Sequence, residues 1–276
     1  MLDRFCLTLY NSLCIRQEGL KTMKTVLGCV RKADTDFEMI APGDRIAVGI
    51  SGGKDSLLLL YALSLYRKFS GKDFTLHAIT LKMGLEPFDV TPIAALCEKI
   101  DVPYTVIETE IAHIIFDVRK ETNPCALCAK MRRGALNDAA KELSCNKVAL
   151  GHHRDDAIET LLMSLLFEGR LHTFHPNTYL SRKDITVIRP MIYVPEKHVK
   201  HMTKVLELPV VKNPCPADGH SKREEIKELI RTLSKTYPDL KDYMLSALRN
   251  TQQYGLWDKK LVGGPRPDEY IVDNNK

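Results

Sequence analysis

Residues 45–69 read RIAVGISGGKDSLLLLYALSLYRKF, and this stretch decides the fold. Its apolar start at 45–50 predicts a short buried strand, and the leucine-rich run at 57–69 predicts a buried helix. Two glycines lie between them and allow the backbone to take positive φ and to approach a ligand closely. The loop amides and the positive end of the helix dipole would then face an anion. The polar or flexible residues of this phosphate-binding turn are Ser51, Gly52, Gly53, Lys54, Asp55 and Ser56.

The spacing of this loop excludes two common nucleotide-binding motifs. A Walker A loop needs a glycine where Val48 stands and a serine or threonine where Asp55 stands. The dinucleotide fingerprint needs GxGxxG, which the two adjacent glycines do not form. What remains is SGGKDS at 51–56, which resembles the PP-loop of ATP pyrophosphatases. The alternative is a tight glycine turn without a ligand.

Strands and helices alternate on both sides of this loop. Strands are predicted at 45–50, 74–82, 104–109, 147–151 and 185–188, and helices at 22–40, 57–69, 92–100, 129–143, 156–167, 221–235 and 238–254. Alternation of this kind predicts parallel βαβ units and an α/β, doubly wound, mostly parallel sheet. We expect an N-terminal helical segment at 1–40, a PP-loop catalytic domain at 41–215 and a helical C-terminal extension with a tail at 216–276.

The composition is that of a globular protein with a mild basic excess. The chain has 276 residues, of which 44% are hydrophobic, and a formal net charge of +5. This charge permits a polyanionic partner without requiring one. No apolar run reaches the length that crosses a bilayer, and the apolar stretch at 5–15 lacks the features of a signal peptide. We therefore expect a cytoplasmic protein without membrane contact.

Three of the eight cysteines form a candidate metal site. Cys125 and Cys128 make a CxxC at the predicted start of a helix, where thiol pKa values are lowered. Cys215 lies between two prolines that stiffen its loop. Three thiolates can hold a 4Fe–4S cluster with one iron left open. A Cys₃His zinc site with His220 and a redox-active CxxC are the alternatives.

A second polar cluster, GHHRDDAIET at 151–160, follows the fourth predicted strand. Ligands bind at the carboxyl ends of strands in a doubly wound sheet, so this segment predicts part of a nucleotide or base pocket. Helix capping is the alternative explanation for its two aspartates. The candidate residues are Gly151, His152, Asp155 as a catalytic group and Asp156 as a magnesium ligand.

Several segments in order resemble the tRNA 2-thiocytidine synthetase (TtcA) family of PP-loop enzymes. They are SGGKDS at 51–56, PCALCAKMRRGAL at 124–136, GHHRDDAIETLLMSLLFEGRL at 151–171 and VIRPMIYVPEK at 187–197, with the Pro-Cys pair at 214–215. The resemblance covers about residues 41–235.

The resemblance implies an ATP-dependent tRNA sulfurtransferase. ATP with Mg²⁺ would adenylate the C2 oxygen of a cytidine in the tRNA anticodon loop, and sulfur carried on the open iron would then replace that oxygen. A cysteine desulfurase would supply the sulfur, and a homodimer is expected. By motif position, Cys125, Cys128 and Cys215 become cluster ligands and Asp55 joins the catalytic groups. Thr80 and Lys82 would border the adenine.

One departure from the family pattern is visible. The family often carries a second PCxxC near the third ligand, whereas this chain has only Cys215 at 214–218. Nearby basic side chains, namely Lys130, Arg132, Arg133, Arg154 and Arg170, are candidate RNA-phosphate contacts or simply a solvated face. The alternatives to a cytidine thiolase are a PP-loop sulfurtransferase for another tRNA base or a small molecule, and a nucleotide- or cluster-binding sensor.

Overall fold

The computed structural model describes residues 17–85, 88–119, 124–211 and 222–250. Its strands are β1 (Arg45–Gly49), β2 (Thr75–Lys82), β3 (Tyr104–Glu108), β4 (Lys147–Ala149), β5 (Asn177–Leu180) and β6 (Ile185–Ile188). In this part of the chain they form one sheet in the order β3-β2-β1-β4-β6-β5. Neighbouring strands pair in parallel except β5, which runs antiparallel to β6.

Helices precede, connect and follow these strands along the chain. They are α1 (Gln17–Phe37), α2 (Lys54–Tyr66), α3 (Thr91–Lys99), the short α4 (Ile111–His113), α5 (Pro124–Glu142), α6 (Arg154–Glu168), α7 (Glu196–Val205), α8 (Lys222–Thr236) and α9 (Leu240–Arg249). A π-helical turn (Ile114–Val118) continues α4. None of the described helices is both long and apolar enough to span a lipid bilayer.

The predicted fold class is confirmed, because parallel strands and helices alternate around one mixed sheet. The observed helices α2 and α5 begin earlier than predicted. Lys54, Asp55 and Ser56 form the first turn of α2, and Pro124 starts α5, so the CxxC lies inside the first turn of that helix. Residues 251–254 of the last predicted helix lie outside the described residues.

Three described elements have no counterpart among the predicted ones. One is the short α4 with the π-helical turn that continues it. Strand β5 is only four residues long and sits at the edge of the sheet, so it shows little hydrophobic patterning. Helix α7 buries Val199 and Met202 between basic residues. Val199, Met202 and Val205 have helical spacing, so the sequence does carry a signal for α7.

The centre of the fold is α2, whose residues from Ser56 to Tyr66 are all buried. Helix α2 packs against β1, α1 and α7, while α5 packs against β2 and β4. Successive side chains of a strand point to opposite faces. Ala47 packs in a cluster with Leu136 and Ala140 of α5. Ile46 and Val48 are therefore turned to the face that α2 covers. Burial on both faces explains why the central strand is apolar throughout.

The described residues divide into two compact units between Ile226 and Lys227. The first contains the sheet and its helices. The second contains the remainder of α8 and α9, and α9 has no buried residue among those described. The domain division at 1–40, 41–215 and 216–276 stays a prediction.

A buried carboxylate ties α1 to α2. Asp34 is 1% exposed and accepts hydrogen bonds from the Tyr66 hydroxyl at 2.7 Å, the Ile40 amide at 2.9 Å and the Lys72 ammonium at 2.6 Å. Removal of the carboxylate takes this acceptor from the Tyr66 hydroxyl and the Ile40 amide, whereas Lys72 keeps its bond to the Ile40 carbonyl at 2.7 Å. Unpaired buried donors are costly.

We therefore expect Asp34→Ala to lower the free energy of unfolding by about 3 kcal/mol. The matched control is Asp138→Ala, which removes an exposed helical carboxylate paired only with Lys183 in the described structure. Its cost should stay below about 1 kcal/mol. Urea unfolding of both variants measures the difference. Equal losses would show that the Asp34 cluster does not hold the helices together.

Candidate active site

The loop between β1 and α2 is held in shape by its own serines. The Ser56 hydroxyl donates to the Gly53 carbonyl at 3.0 Å and accepts from the Ser51 amide at 3.2 Å. The two serine hydroxyls lie 3.2 Å apart, and the Gly53 amide donates to the Ser51 hydroxyl at 3.3 Å. These contacts fix the loop before any ligand arrives.

The loop and the start of α2 have the properties of an anion site. Gly52 takes φ of +80°, which a side chain would strain, and its ideal Cβ would lie 3.1 Å from the Phe88 ring. Gly53 caps α2, and no described side chain accepts the first amides of that helix. Uncapped amides and the helix dipole favour a phosphate at this position.

A chain of alternating charges surrounds the loop. The Lys54 ammonium lies 3.0 Å from Asp55 and 3.3 Å from Glu196, which begins α7. On its other side the Asp55 carboxylate lies 3.4 Å from Nε2 of His153, which is 3% exposed. The loop is thereby tied to both α6 and α7.

These contacts favour the charged forms of both Asp55 and His153. Burial alone would raise the pKa of Asp55, but the hydrogen bond with His153 and the charge of Lys54 outweigh it and hold the pKa below its ordinary value. Burial alone would lower the pKa of His153, but Asp55 and Asp156 raise it above the ordinary value. The carboxylate of Asp55 is therefore ionised at neutral pH and available to a cation.

The start of α6 is organised by a reciprocal cap. The amide of His153 donates to the Asp156 carboxylate at 2.8 Å, and Nδ1 of His153 accepts from the Asp156 amide at 3.4 Å. Asp155 points elsewhere, because its carboxylate accepts from the Glu196 amide at 2.8 Å and so holds the start of α7. The predicted capping role of this segment is therefore observed for Asp156.

One cavity of about 560 Å³ lies at the carboxyl edge of the sheet. Its first wall is the loop with the ends of β1 and β2, and its second wall is α5 with the segments that follow β4 and β6. The lining residues are Gly49, Ile50, Ser51, Asp55, Ser56, Ile79, Leu81, Met83, Leu85 and Phe88 on the first wall and Ala129, Arg132, Arg133, Leu136, Leu150, Gly151, His152, Asp156, Phe174 and Arg189 on the second.

Close packing joins the two walls. An ideal Cβ on Gly151 would lie 2.9 Å from the carbonyl carbon of Asp55 and 2.9 Å from the amide nitrogen of Ser56. Backbone atoms cannot move aside as a flexible side chain can. Only glycine therefore lets the segment after β4 pack against the first turn of α2.

Aromatic and basic side chains line the second wall. The ring of Phe174 lies 4.8 Å from the His152 ring, and the Arg189 guanidinium lies 4.9 Å from the Phe174 centroid. Burial and the nearby charge of Arg189 lower the pKa of His152 to about 4, so this imidazole is neutral at pH 7. Burial and the charge of Arg133 lower the pKa of Arg189 to about 10, so that guanidinium remains charged.

The second cysteine of the CxxC contacts a residue that lines the same cavity. Cys125 is exposed and Cys128 is half-buried in the first turn of α5. The Cys128 sulfur lies 3.8 Å from the sulfur of Met83, which lines the cavity. Two thiols at a helix start suit an iron–sulfur cluster as donors. Cys215 and His220 lie outside the described residues, and no three described His, Cys, Asp or Glu side chains gather as a metal site.

The structure brings six of the predicted residues to the cavity. They are Ser51, Asp55, Ser56, Gly151, His152 and Asp156. Gly52 and Gly53 shape the loop, and Lys54 turns toward Glu196. The Thr80 hydroxyl accepts from Tyr104, and Lys82 pairs with Glu108. Strand alternation turns Ile79, Leu81 and Met83 to the cavity instead, so the adenine contacts of Thr80 and Lys82 stay a prediction.

Sequence reasoning did not single out Arg189, Phe174, Met83 or Glu196 as site residues. Arg189 follows the end of β6, and the rule that ligands bind at strand carboxyl ends gives a signal for it. Phe174 stands in an irregular segment after α6, where no periodicity marks it. Its position depends on the antiparallel course of β5, which was not predicted.

The fold and the glycine loop define a PP-loop nucleotide-binding domain. A family model described as a PP-loop domain (ATP_bind_3) matches residues 28–233.

Two relatives narrow this class. A tRNA-cytidine(32) 2-sulfurtransferase of Pelobacter propionicus is 38% identical over 237 residues, which cover 85% of this chain and 88% of that protein. A tRNA-cytidine(32) 2-sulfurtransferase of Neisseria meningitidis serogroup A is 35% identical over 246 residues, which cover 88% of this chain and 77% of that protein. This chain belongs to the tRNA-cytidine(32) 2-sulfurtransferase (TtcA) family of PP-loop proteins.

A solved structure agrees with this fold. It is the U34-tRNA thiolase NcsA from Methanococcus maripaludis with its 4Fe-4S cluster. The two chains are 27% identical with a TM-score of 0.70, over 84% of this chain and 79% of NcsA.

Because Gly151 touches the backbone of the loop, we expect Gly151→Ala to weaken ATP binding by about tenfold or more. The Cβ would displace Asp55 and Ser56 and spoil the loop geometry. The matched control is Gly28→Ala in α1, where an added Cβ meets no described atom within 4 Å. Isothermal titration with ATP measures both. Unchanged affinity of the Gly151 variant would show that this contact does not shape the nucleotide site.

The lowered pKa of His152 predicts a pH dependence of stability. The neutral imidazole is favoured in the folded chain, so its contribution is complete above the ordinary pKa of 6.5 and declines as the pH falls toward about 4. The wild type should lose about 2 kcal/mol more than His152→Gln between pH 7 and pH 5. Urea unfolding at both pH values tests this, and parallel losses in the wild type and His152→Gln would contradict it.

Proposed function

We propose that this chain is an ATP-dependent tRNA thiolase that converts a cytidine of the anticodon loop to 2-thiocytidine. One observation carries the proposal: the cavity beside the PP-loop is lined by Met83, and the Met83 sulfur contacts the sulfur of Cys128. Nucleotide activation and sulfur transfer need such neighbouring sites. The relatives named tRNA-cytidine(32) 2-sulfurtransferase and the thiolase NcsA support the same chemistry.

The PP-loop would perform the activation step. The C2 oxygen of cytidine attacks the α-phosphorus of ATP, the bond to the β-phosphate breaks, and pyrophosphate leaves. Loop amides and the start of α2 stabilise the charge that develops on the pyrophosphate. We assign this binding to Ser51, Gly52, Gly53, Lys54, Asp55 and Ser56. The nucleoside of ATP is bordered by Gly151, His152 and the backbone of β2 at Thr80 and Lys82.

Asp55 and Asp156 are the proposed partners of Mg²⁺. Both line the cavity, and oxygen ligands suit this ion. Arg223 lies 3.8 Å from Asp156 and 3.1 Å from Glu159, so a cation already neighbours this carboxylate. Asp155, which was predicted to be catalytic, is proposed to act by holding the start of α7 against the loop.

The second step needs sulfur next to the activated base. We assign a 4Fe–4S cluster to Cys125, Cys128 and Cys215; when bound, it would hold the sulfur as hydrosulfide. An external dithiol, which is oxidised to its disulfide, would form this hydrosulfide from the persulfide of the desulfurase. A carbon–sulfur bond forms at C2, the C2–O bond breaks, and AMP leaves with the oxygen. The apolar lining from Ile79, Leu81 and Met83 keeps water away from the adenylated base.

The remaining assignments complete the proposal. The substrate is tRNA, the sulfur comes from a cysteine desulfurase, and the enzyme works in the cytoplasm as a homodimer. The mild basic excess of the chain suits an RNA partner.

The test is nucleoside mass analysis of tRNA from cells that lack this protein. We expect 2-thiocytidine to disappear and to return with the wild type but not with Cys125→Ala. Cys29→Ala, which changes a cysteine of α1, should restore the nucleoside.

Other outcomes redirect or overturn the proposal. If 2-thiocytidine persists without the protein, the cytidine assignment is wrong. Loss of another thionucleoside would identify a different base. An unchanged set of tRNA nucleosides would indicate a small-molecule substrate or a sensor.

A further inference from the structure

We propose that Arg189 and Arg132 form a second phosphate subsite, opposite the PP-loop, which binds a phosphodiester of the RNA beside the target cytidine. The inference rests on the proposed function and adds to it the place where the RNA strand enters the cavity.

Arg189 is held with one edge of its guanidinium unsatisfied. The residue is 9% exposed, its Nη1 donates to the His175 carbonyl at 2.6 Å, and its guanidinium lies over Phe174. Its Nε is buried and finds no hydrogen-bond partner in the described parts of the chain. A guanidinium fixed in this way presents a planar donor edge that matches a phosphate.

Arg132 of α5 shares with Arg189 an Nε that no described residue satisfies. It lines the same cavity, and its Nε is also buried without a partner among the described residues. Arg133 adds a third positive charge to the wall. None of the three forms an ion pair with a carboxylate in the described structure. Like charges that gather without a counter-ion in a cavity favour an anionic ligand.

The same conclusion follows from the buried groups around them. The lowered pKa of Arg189 reflects its burial and the charge of Arg133, so its charged form is incompletely stabilised by the protein. His152, also on this wall, is neutral at pH 7 and its Nδ1 has no partner among described residues. It can contact a base without adding to the repulsion.

The sheet order separates this subsite from the PP-loop. The loop follows β1, whereas Arg189 follows β6, and β4 lies between these strands. Strands lie roughly 4.8 Å apart, so the two positions differ by about 10 Å across the sheet. An ATP whose phosphates bind the loop and whose adenine faces β2 leaves the β6 end for the acceptor strand.

The experiment compares two ligands on the full chain. One is an ATP analogue that cannot be cleaved between the α- and β-phosphates, and the other is a synthetic anticodon stem–loop RNA with cytidine at position 32. Dissociation constants are measured for the wild type, Arg189→Gln, Arg132→Gln and Arg31→Gln at several salt concentrations. Arg31 is an exposed arginine of α1 outside the cavity and serves as the matched control. Thermal unfolding shows whether each variant is folded. If Arg189→Gln does not fold, the binding data of Arg132→Gln test the inference.

We expect Arg189→Gln and Arg132→Gln each to weaken RNA binding about tenfold to hundredfold. The salt dependence should fall by about one ion per variant, and affinity for the ATP analogue should change less than about twofold. Arg31→Gln should bind both ligands as the wild type does.

Three results would overturn the inference, and only the third also overturns the proposed function. Weakened binding of the analogue with unchanged RNA binding would assign the arginines to the phosphates of ATP. RNA affinity unchanged in both variants would show that no phosphate binds there. Wild-type protein that binds the analogue but no RNA would overturn the tRNA substrate, and this inference with it.

Discussion

The contact between Gly151 and the first turn of α2 is the constraint on which the site depends. A Cβ atom at position 151 would lie 2.9 Å from the backbone of Asp55 and Ser56, so no residue other than glycine fits there. This packing places the segment after β4 directly beside the PP-loop. His153 can therefore reach Asp55, and Asp156 can line the same cavity. The glycine at position 151 thus sets how closely the segments after β1 and β4 approach each other at the nucleotide site.

Charges then fix what the packing brings together. Lys54, Asp55 and His153 form an alternating chain that ties the loop to α6 and, through Glu196, to α7. Asp155 strengthens the second tie by accepting the amide of Glu196. Most of these groups are buried or half-buried, so their orientation is set before a ligand binds. Such preorganisation is the main means by which a rigid fold stabilises charge in a reaction.

Much of this could be predicted from the sequence, because local patterns carry it. The strand, glycine loop and helix at 45–69 are contiguous, and the CxxC at a helix start needs only its own neighbours. Local patterns do not show in the same way which alternate residues of a strand face a given side of the sheet. In β2 each alternate set of side chains mixes apolar and polar residues, so the sequence does not show that Ile79 and Leu81, rather than Thr80 and Lys82, face the cavity. Arg189 and Phe174 could not be paired either, since their contact requires the unpredicted course of β5.

The antiparallel direction of β5 has a consequence for how this family can vary. Asn177, its first residue, pairs with Ile188, the last residue of β6, so β5 begins at the carboxyl edge of the sheet. A parallel strand would begin at the opposite edge and would carry its preceding loop away from the cavity. Here the connection at 169–176 must end beside the cavity, and it delivers Phe174 and the His175 carbonyl to Arg189. Insertions or substitutions in this connection leave the five parallel strands of the described sheet in register. Selectivity for the acceptor can therefore evolve in one short peripheral segment while the nucleotide-binding half stays unchanged.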